Sequence, residues 1–218
     1  MAGLLDRAAT VPKPKAVAGF EAIQRHWDAA LGCWSAKILP GEFYVTPSTE
    51  AVTTVLGSCI AACIRDPSAR VGGMNHFMLP EDAPGGTGTW NAQDGGASTR
   101  YGSYAMESLV NELLKLGARR ERFEVKLFGG GRILPSMTDV GKRNIEFAHA
   151  FLKTEGLRIS AEDVGDVFPR RVVYFPETGK VMVKRLRAVE SKAIASSESR
   201  YRDTLGKKTD GNDVELFD

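Results

Sequence analysis

Residues 50–79 constrain the fold most, because no uninterrupted run in them is long enough for a helix. Residues 50–56 form a β-branched run, 60–65 and 70–79 are short and apolar, and Gly57-Ser58 and Asp66-Pro67-Ser68-Ala69 punctuate them. The second punctuation has turn chemistry at each place: Asp opens it, Pro presets φ, and Ser follows. Read as a tight bend, it sets Asp66 against Ala69, Arg65 against Arg70, Cys63 against Gly72 and Cys59 against His76. Directly opposed residues hold their Cβ atoms roughly 4.5–5.5 Å apart, so a thiol and an imidazole would share one face. A slip of one residue would part them.

The flanking chain reads as a mixture of strands and helices. In 19–35, Phe20, Ile23, Trp27, Leu31 and Trp34 recur at three- and four-residue steps, which predicts an N-terminal amphipathic helix. Residues 36–46 have a strand pattern broken at Pro40-Gly41. Helices are expected over 101–116, stopped by Gly117, and over 139–155, stopped by Gly156. Between them 123–128 reads as a strand closed by Gly129-Gly130-Gly131, where glycine serves a tight turn or close backbone packing. A last hairpin, 171–175 with 181–186, turns at Pro176-Glu177-Thr178-Gly179. The glycine-rich 81–99 reads as a long loop, 1–18 as a disordered lead, and 189–218 as a solvated tail. The strands lack the steady alternation with helices of a doubly wound sheet. The reading is therefore an α+β domain over 36–188, with largely antiparallel strands in hairpins packed with two main helices.

Composition narrows the function. A net charge of +2 over 218 residues implies no nucleic-acid partner. No apolar run approaches the ~20 residues of a membrane span, so no membrane insertion is expected. Three cysteines are an odd number and form no disulfide framework, which fits a reducing cytoplasm. The triple glycine lacks the Lys-Ser/Thr of a phosphate loop.

A thiol becomes a good nucleophile when a nearby imidazole takes its proton. Gly57-Ser58 before Cys59 lets the backbone bend so that amide N–H groups can face a developing oxyanion. A third group usually orients such a base, and Thr53 and Thr54 on the preceding strand are candidates. The competing readings are a structural thiol, or a zinc site from Cys59, Cys63 and His76, which lacks a fourth ligand. Cys63 reads as packing.

Thr53 to Cys59, Arg65-Asp66-Pro67, Gly72 to Pro80, Tyr104-Ala105-Met106, Lys126 to Gly130, Arg143-Asn144 and Thr178-Gly179 together closely resemble the CheD family of chemoreceptor glutamine deamidases. The resemblance runs in order over roughly 36–188. It departs from the family at Gly165-Asp166, where Gly-Gly is usual, and at Gly131, where alanine is common. It implies an α/β sandwich, and a cytoplasmic chemotaxis hydrolase that converts glutamines of methyl-accepting chemotaxis receptors to glutamate and ammonia. Cys59 would be the nucleophile, His76 the base and Thr53 its orienting residue, with Gly57, Ser58 and Asn75 candidates for holding the substrate carbonyl. No metal or organic cofactor is implied. Alternatives are an adaptor that binds a CheC-type phosphatase, or a cysteine amidase acting on another protein. On the active reading Cys59 should be partly exposed with a depressed pKa, while Cys63 should titrate high.

Overall fold

The computed structural model describes residues 11–80, 97–133 and 140–209. The strands are β1 (Gln24–Asp28), β2 (Cys33–Lys37), β3 (Phe43–Thr46), β4 (Ala51–Leu56), β5 (Ile60–Asp66), β6 (Val71–Asn75), β7 (Glu124–Gly129), β8 (Ile159–Val164), β9 (Arg170–Phe175) and β10 (Lys180–Arg185). The α-helices are α1 (Ala97–Lys115), α2 (Val140–Thr154) and α3 (Ala188–Thr209). Two five-stranded sheets result, ordered β1-β2-β4-β9-β10 and β3-β6-β5-β7-β8. Both are mixed: β2–β4 and β7–β8 are parallel, and the other pairs are antiparallel. The expected α+β class holds. The last three residues of the expected 81–99 loop belong to α1, and 81–96 lie outside the described residues.

Two adjacent glycines reveal the layering. A Cβ on Gly73 would strike Leu109 of α1, whereas one on Gly72 would strike Pro176 at the end of β9. Neighbouring strand residues point to opposite faces. The β5–β6 sheet therefore lies between α1 on one side and the β4–β9 sheet on the other. Ile60 to Ile64 of β5 have no exposed surface, as expected of a strand covered on both faces.

The hairpin register differs from the tight-bend reading. Cys63 pairs with Met74 and Asp66 with Val71, leaving a four-residue connection. Asp66 Oδ1 accepts from the amides of Ser68 and Ala69, and Arg70 takes φ +55°, so the loop needs two more residues than a minimal bend. The slip is by two residues, and parity survives. Cys63 faces Met74 rather than Gly72, and His76 lies diagonal to Cys59 on the same face rather than directly opposite.

The helix expected in 19–35 is instead the β1–β2 hairpin. Asp28 Oδ1 accepts from the amides of Ala30 and Leu31, Gly32 takes φ +65°, and Trp27 meets Trp34 edge-to-face across the strands. Of the five spaced residues only Trp27 and Trp34 lie in strands, and the segment is held extended by the β1–β2 ladder and the parallel pairing of β2 with β4. Residues 11–18 also lie on the body: Val11 and Pro14 carbonyls accept from Trp34 and Arg25. The stretch 189–218, read as solvated, contains α3 up to Thr209, and its Ala195, Glu198 and Leu205 are buried.

Candidate active site

The inter-sheet layer ends where β4, the start of β5 and the exit of β6 converge. Val52, Thr54 and Leu56 form the core face of β4, so Thr54 points at the other sheet and Thr53 points away. Thr54 Oγ1 lies 2.7 Å from His76 Nδ1. Its hydroxyl proton goes to the Ile38 carbonyl at 2.8 Å, so toward the imidazole it can only accept. His76 therefore carries its proton on Nδ1 and leaves Nε2 free as a base. Nε2 is buried and has no hydrogen-bond partner among the described residues. Thr53, expected to orient the ring, pairs through its backbone with Val173 and gives its carbonyl to Ile38. Strand alternation allows only one of the two threonines to reach His76.

The loop before β5 is held from two sides. Gly131 N–H donates to the Gly57 carbonyl and Gly130 N–H to the Cys59 carbonyl, each at 2.7 Å. A Cβ on Gly129 would collide with the Cys59 carbonyl, so the triple glycine serves close backbone packing. On the other side Asn144 of α2 donates Nδ2 to the Ser58 carbonyl at 2.8 Å and accepts from Leu79 N–H at 2.9 Å. This buried amide ties the cysteine loop to the segment that carries His76.

So constrained, the amides of Gly57, Ser58 and Cys59 converge. They meet a carboxylate from α3: Glu198 accepts from Gly57 N–H and Ser58 N–H at 2.8 Å, Ser58 Oγ at 2.7 Å and Cys59 N–H at 3.3 Å. Glu198 is 2% exposed. A carboxylate this deep is tolerated because its oxygens are hydrogen-bonded. Its oxygen, Cys59 Sγ and a His76 ring nitrogen all lie within 4.8 Å of one another. These three residue types are also zinc donors, but the carboxylate here is spent on four hydrogen-bond donors. The geometry describes an anion seat beside a thiol and a free imidazole nitrogen.

Electrostatics hold this arrangement unreactive. Burial, then the charge and hydrogen bond of Glu198, push the Cys59 thiol well above its ordinary value. Burial pulls His76 down to about 4, against the opposing charge of Glu198. Cys59 is 0% exposed, so the expectation of a partly exposed cysteine with depressed pKa is corrected: burial raises the thiol first, and Glu198 of α3 adds to it. Asn75 is also reassigned. Its Oδ1 accepts from Ala62 N–H and its Nδ2 donates to the Ala105 carbonyl, which commits its amide to β5 and α1 rather than to a substrate carbonyl.

Sequence reasoning brought Cys59, His76, Gly57 and Ser58 together and missed Glu198 and Asn144. Asn144 lies in the Arg143-Asn144 pair that carries part of the family resemblance. Glu198 had a faint signal, the three-, three- and four-residue steps from Ala195 through Glu198 and Tyr201 to Leu205.

Comparison with known proteins identifies the family. A family model described as CheD chemotactic sensory transduction matches residues 78–185. A "Probable chemoreceptor glutamine deamidase CheD" of Hydrogenovibrio crunogenus is 54% identical over 195 residues, covering 89% of this chain and all of the relative. The chain belongs to the CheD family. Relatives carrying the same name in Halorhodospira halophila and Saccharophagus degradans are 47% and 46% identical. The first alignment covers 97% of both chains and the second 99% of both. Among the described residues no helix is long and apolar enough to cross a membrane.

Proposed function

We propose that this protein is a glutamine deamidase of methyl-accepting chemotaxis receptors, with Cys59 as nucleophile and His76 as base. The observation that carries the mechanism is the convergence of three backbone N–H groups beside Cys59, whose Sγ lies within 4.8 Å of a His76 ring nitrogen. When a substrate glutamine takes the place of Glu198, Nε2 removes the Cys59 proton and the thiolate attacks the carboxamide carbon. The amides of Gly57, Ser58 and Cys59 hold the resulting oxyanion. The imidazolium, its Nδ1–H held by Thr54, then protonates the departing ammonia. Water activated by the same nitrogen hydrolyses the glutamyl thioester and frees glutamate. None of these steps needs a metal or organic cofactor.

The reading of the relatives' names extends to this chain on the same grounds, and with it a place of work in the cytoplasm, where receptor signalling helices lie. A CheC-type phosphatase is a partner to test against the rim of the site, where Tyr104 of α1 is 72% exposed. The deciding experiment incubates the purified protein with a receptor signalling fragment. Ammonia release and the mass gain of deamidation at defined glutamines are the expected result. A fragment unchanged by both the native chain and its Glu198→Ala variant would overturn the proposal.

A further inference from the structure

We infer that α3 is a ligand of the protein's own active site, with Glu198 held as the carboxylate product of deamidation would be held. The inference rests on the proposed deamidase reading and adds to it an occupant in cis. A deamidated glutamine is a glutamate, and the one buried carboxylate whose oxygens meet Gly57, Ser58 and Cys59 N–H is a glutamate on a helix. The contact is fitted rather than incidental. A Cβ on Gly57 would meet Glu198 Oε2 at 2.8 Å, and one on Gly41 would meet the Tyr201 hydroxyl at 2.5 Å. Both glycines thus leave room for two of the side chains that α3 sends inward, Glu198 and Tyr201.

The rest of the helix follows one face. Ala195, Glu198, Tyr201 and Leu205 stand at three- and four-residue steps, which places them on one side of α3. Ala195 and Leu205 are buried, and the Tyr201 hydroxyl bonds that of Tyr101 on α1. Beside them lies a groove of about 340 Å³, whose lining includes Glu42, Phe43, His76, Tyr104, Tyr201 and Leu205. A substrate glutamine cannot reach Cys59 while this face is in place, so substrate and α3 compete for one surface.

Two features suit α3 to reversible occupancy. The helix begins at Ala188, two residues after Leu186, whose N–H donates to the Pro169 carbonyl, so a short tether keeps its local concentration high. Among its described side chains the apolar ones that are buried are Ala195 and Leu205, with Tyr201 packed against the core, so little of that surface is lost on release. The seated form is also chemically quiet, because Glu198 adds to the burial that keeps Cys59 protonated.

The test uses the full chain carrying Glu198→Gln, which offers the site a carboxamide in cis. Attack by Cys59 breaks the C–N bond and releases ammonia, and water then supplies the oxygen of the new carboxylate. The expected result is conversion of position 198 to the acid with one ammonia per chain, at a rate independent of protein concentration. The double variant with Cys59→Ala should retain the carboxamide. In parallel, Glu198→Ala should raise kcat/KM on a receptor fragment ~10-fold or more, since a charge-assisted contact no longer competes. A carboxamide that persists at position 198 in a chain that still deamidates receptor overturns the inference and leaves the deamidase reading standing. So does an unchanged kcat/KM for Glu198→Ala, or conversion that speeds up with protein concentration. If neither position 198 nor the receptor is converted, the deamidase reading fails and the inference fails with it.

Discussion

Cys59 and Cys63 lie four residues apart, face the same layer and are both without exposed surface, yet they are buried by different means. Cys63 sits inside β5, between Met74 of β6 and Lys126 of β7, where the backbone ladders hold it. Burial alone drives its thiol up, with Lys126 opposing. Cys59 precedes the strand, in a loop held by Gly130, Gly131 and Asn144, and its cover is completed by a single helix from the end of the chain. One thiol is sealed by sheets that cannot part without unfolding. The other is sealed by a side chain that can leave. Accessibility in the resting structure is thus a poor guide to which cysteine is reactive, and hydrogen-bond donors aimed at a shared point are a better one.

The strongest way to break this comparison is by activity. Cys59→Ala should lower receptor deamidation ~10³-fold or more, since the covalent intermediate is lost, while Cys63→Ala should retain near-native turnover. Equal losses in the two variants would show that the sulfur at 59 has no chemical privilege.

Acid should separate the two environments next. His76 is buried with its pKa lowered to about 4, against an ordinary value near 6.5. The depressed value means the unfolded chain takes up a proton that the native chain refuses. Stability associated with His76 is therefore intact above about pH 6.5 and is lost as pH falls toward 4, by as much as roughly 3 kcal/mol. Denaturant titrations of the native protein should show this slope, and His76→Asn should flatten it. A slope identical in the two would place the acid sensitivity elsewhere.

Labelling sharpens the contrast directly. Glu198→Ala removes a negative charge and a hydrogen bond that both hold the Cys59 thiol up. Limiting iodoacetamide at neutral pH should then modify Cys59 ~10-fold faster or more, one pKa unit being a tenfold change in thiolate. Cys63 should stay at its native rate, because no part of its cover changes. Peptide mapping that finds both cysteines accelerated would mean that α3 supports the whole sandwich rather than the site alone.

Support of the base should also be specific. Thr54→Val removes the acceptor for His76 Nδ1–H and should lower kcat roughly tenfold, a part of the ~10²–10⁴-fold that a well-placed general base contributes. Thr53→Val should lower it far less, because its side chain is on the other face of β4. The reverse ranking in steady-state kinetics would contradict the tautomer deduced from the Ile38 contact.

These residues also show what the sequence carried. The hairpin of Cys59 and His76 was legible because turn chemistry and period-two patterning are local, and even a register error of two residues preserved the face. The choice between Thr53 and Thr54 was readable in principle, since only Thr54 shares parity with Val52 and Leu56. The β1–β2 hairpin was masked because its apolar spacing also fits a helix, and the partner that settles it, β4, lies fourteen residues beyond β2 in the chain. α3 was masked for a different reason. Its inward face contains an ionisable residue, and a glutamate reads as solvated until the donors that receive it are known. Those donors belong to a loop 139 to 141 residues away.

The smallest effect closes the comparison from the side of Cys63. Its thiol touches no hydrogen-bond partner that the site uses, and its strand is fixed by two neighbours, so replacing it with alanine removes one buried sulfur and little else. The cost combines lost burial with a small cavity that the surrounding sheet can only partly fill, which amounts to ~1 kcal/mol for a group of this size. Chemical denaturation should show the midpoint falling with the m-value unchanged, because the surface exposed on unfolding stays the same. The rate of Cys59 labelling and the kcat for receptor fragments should both match the native protein. A changed labelling rate at Cys59 in this variant would mean that strain travels along β5 into the loop before it, and that the two cysteines are not independent sites but a coupled pair.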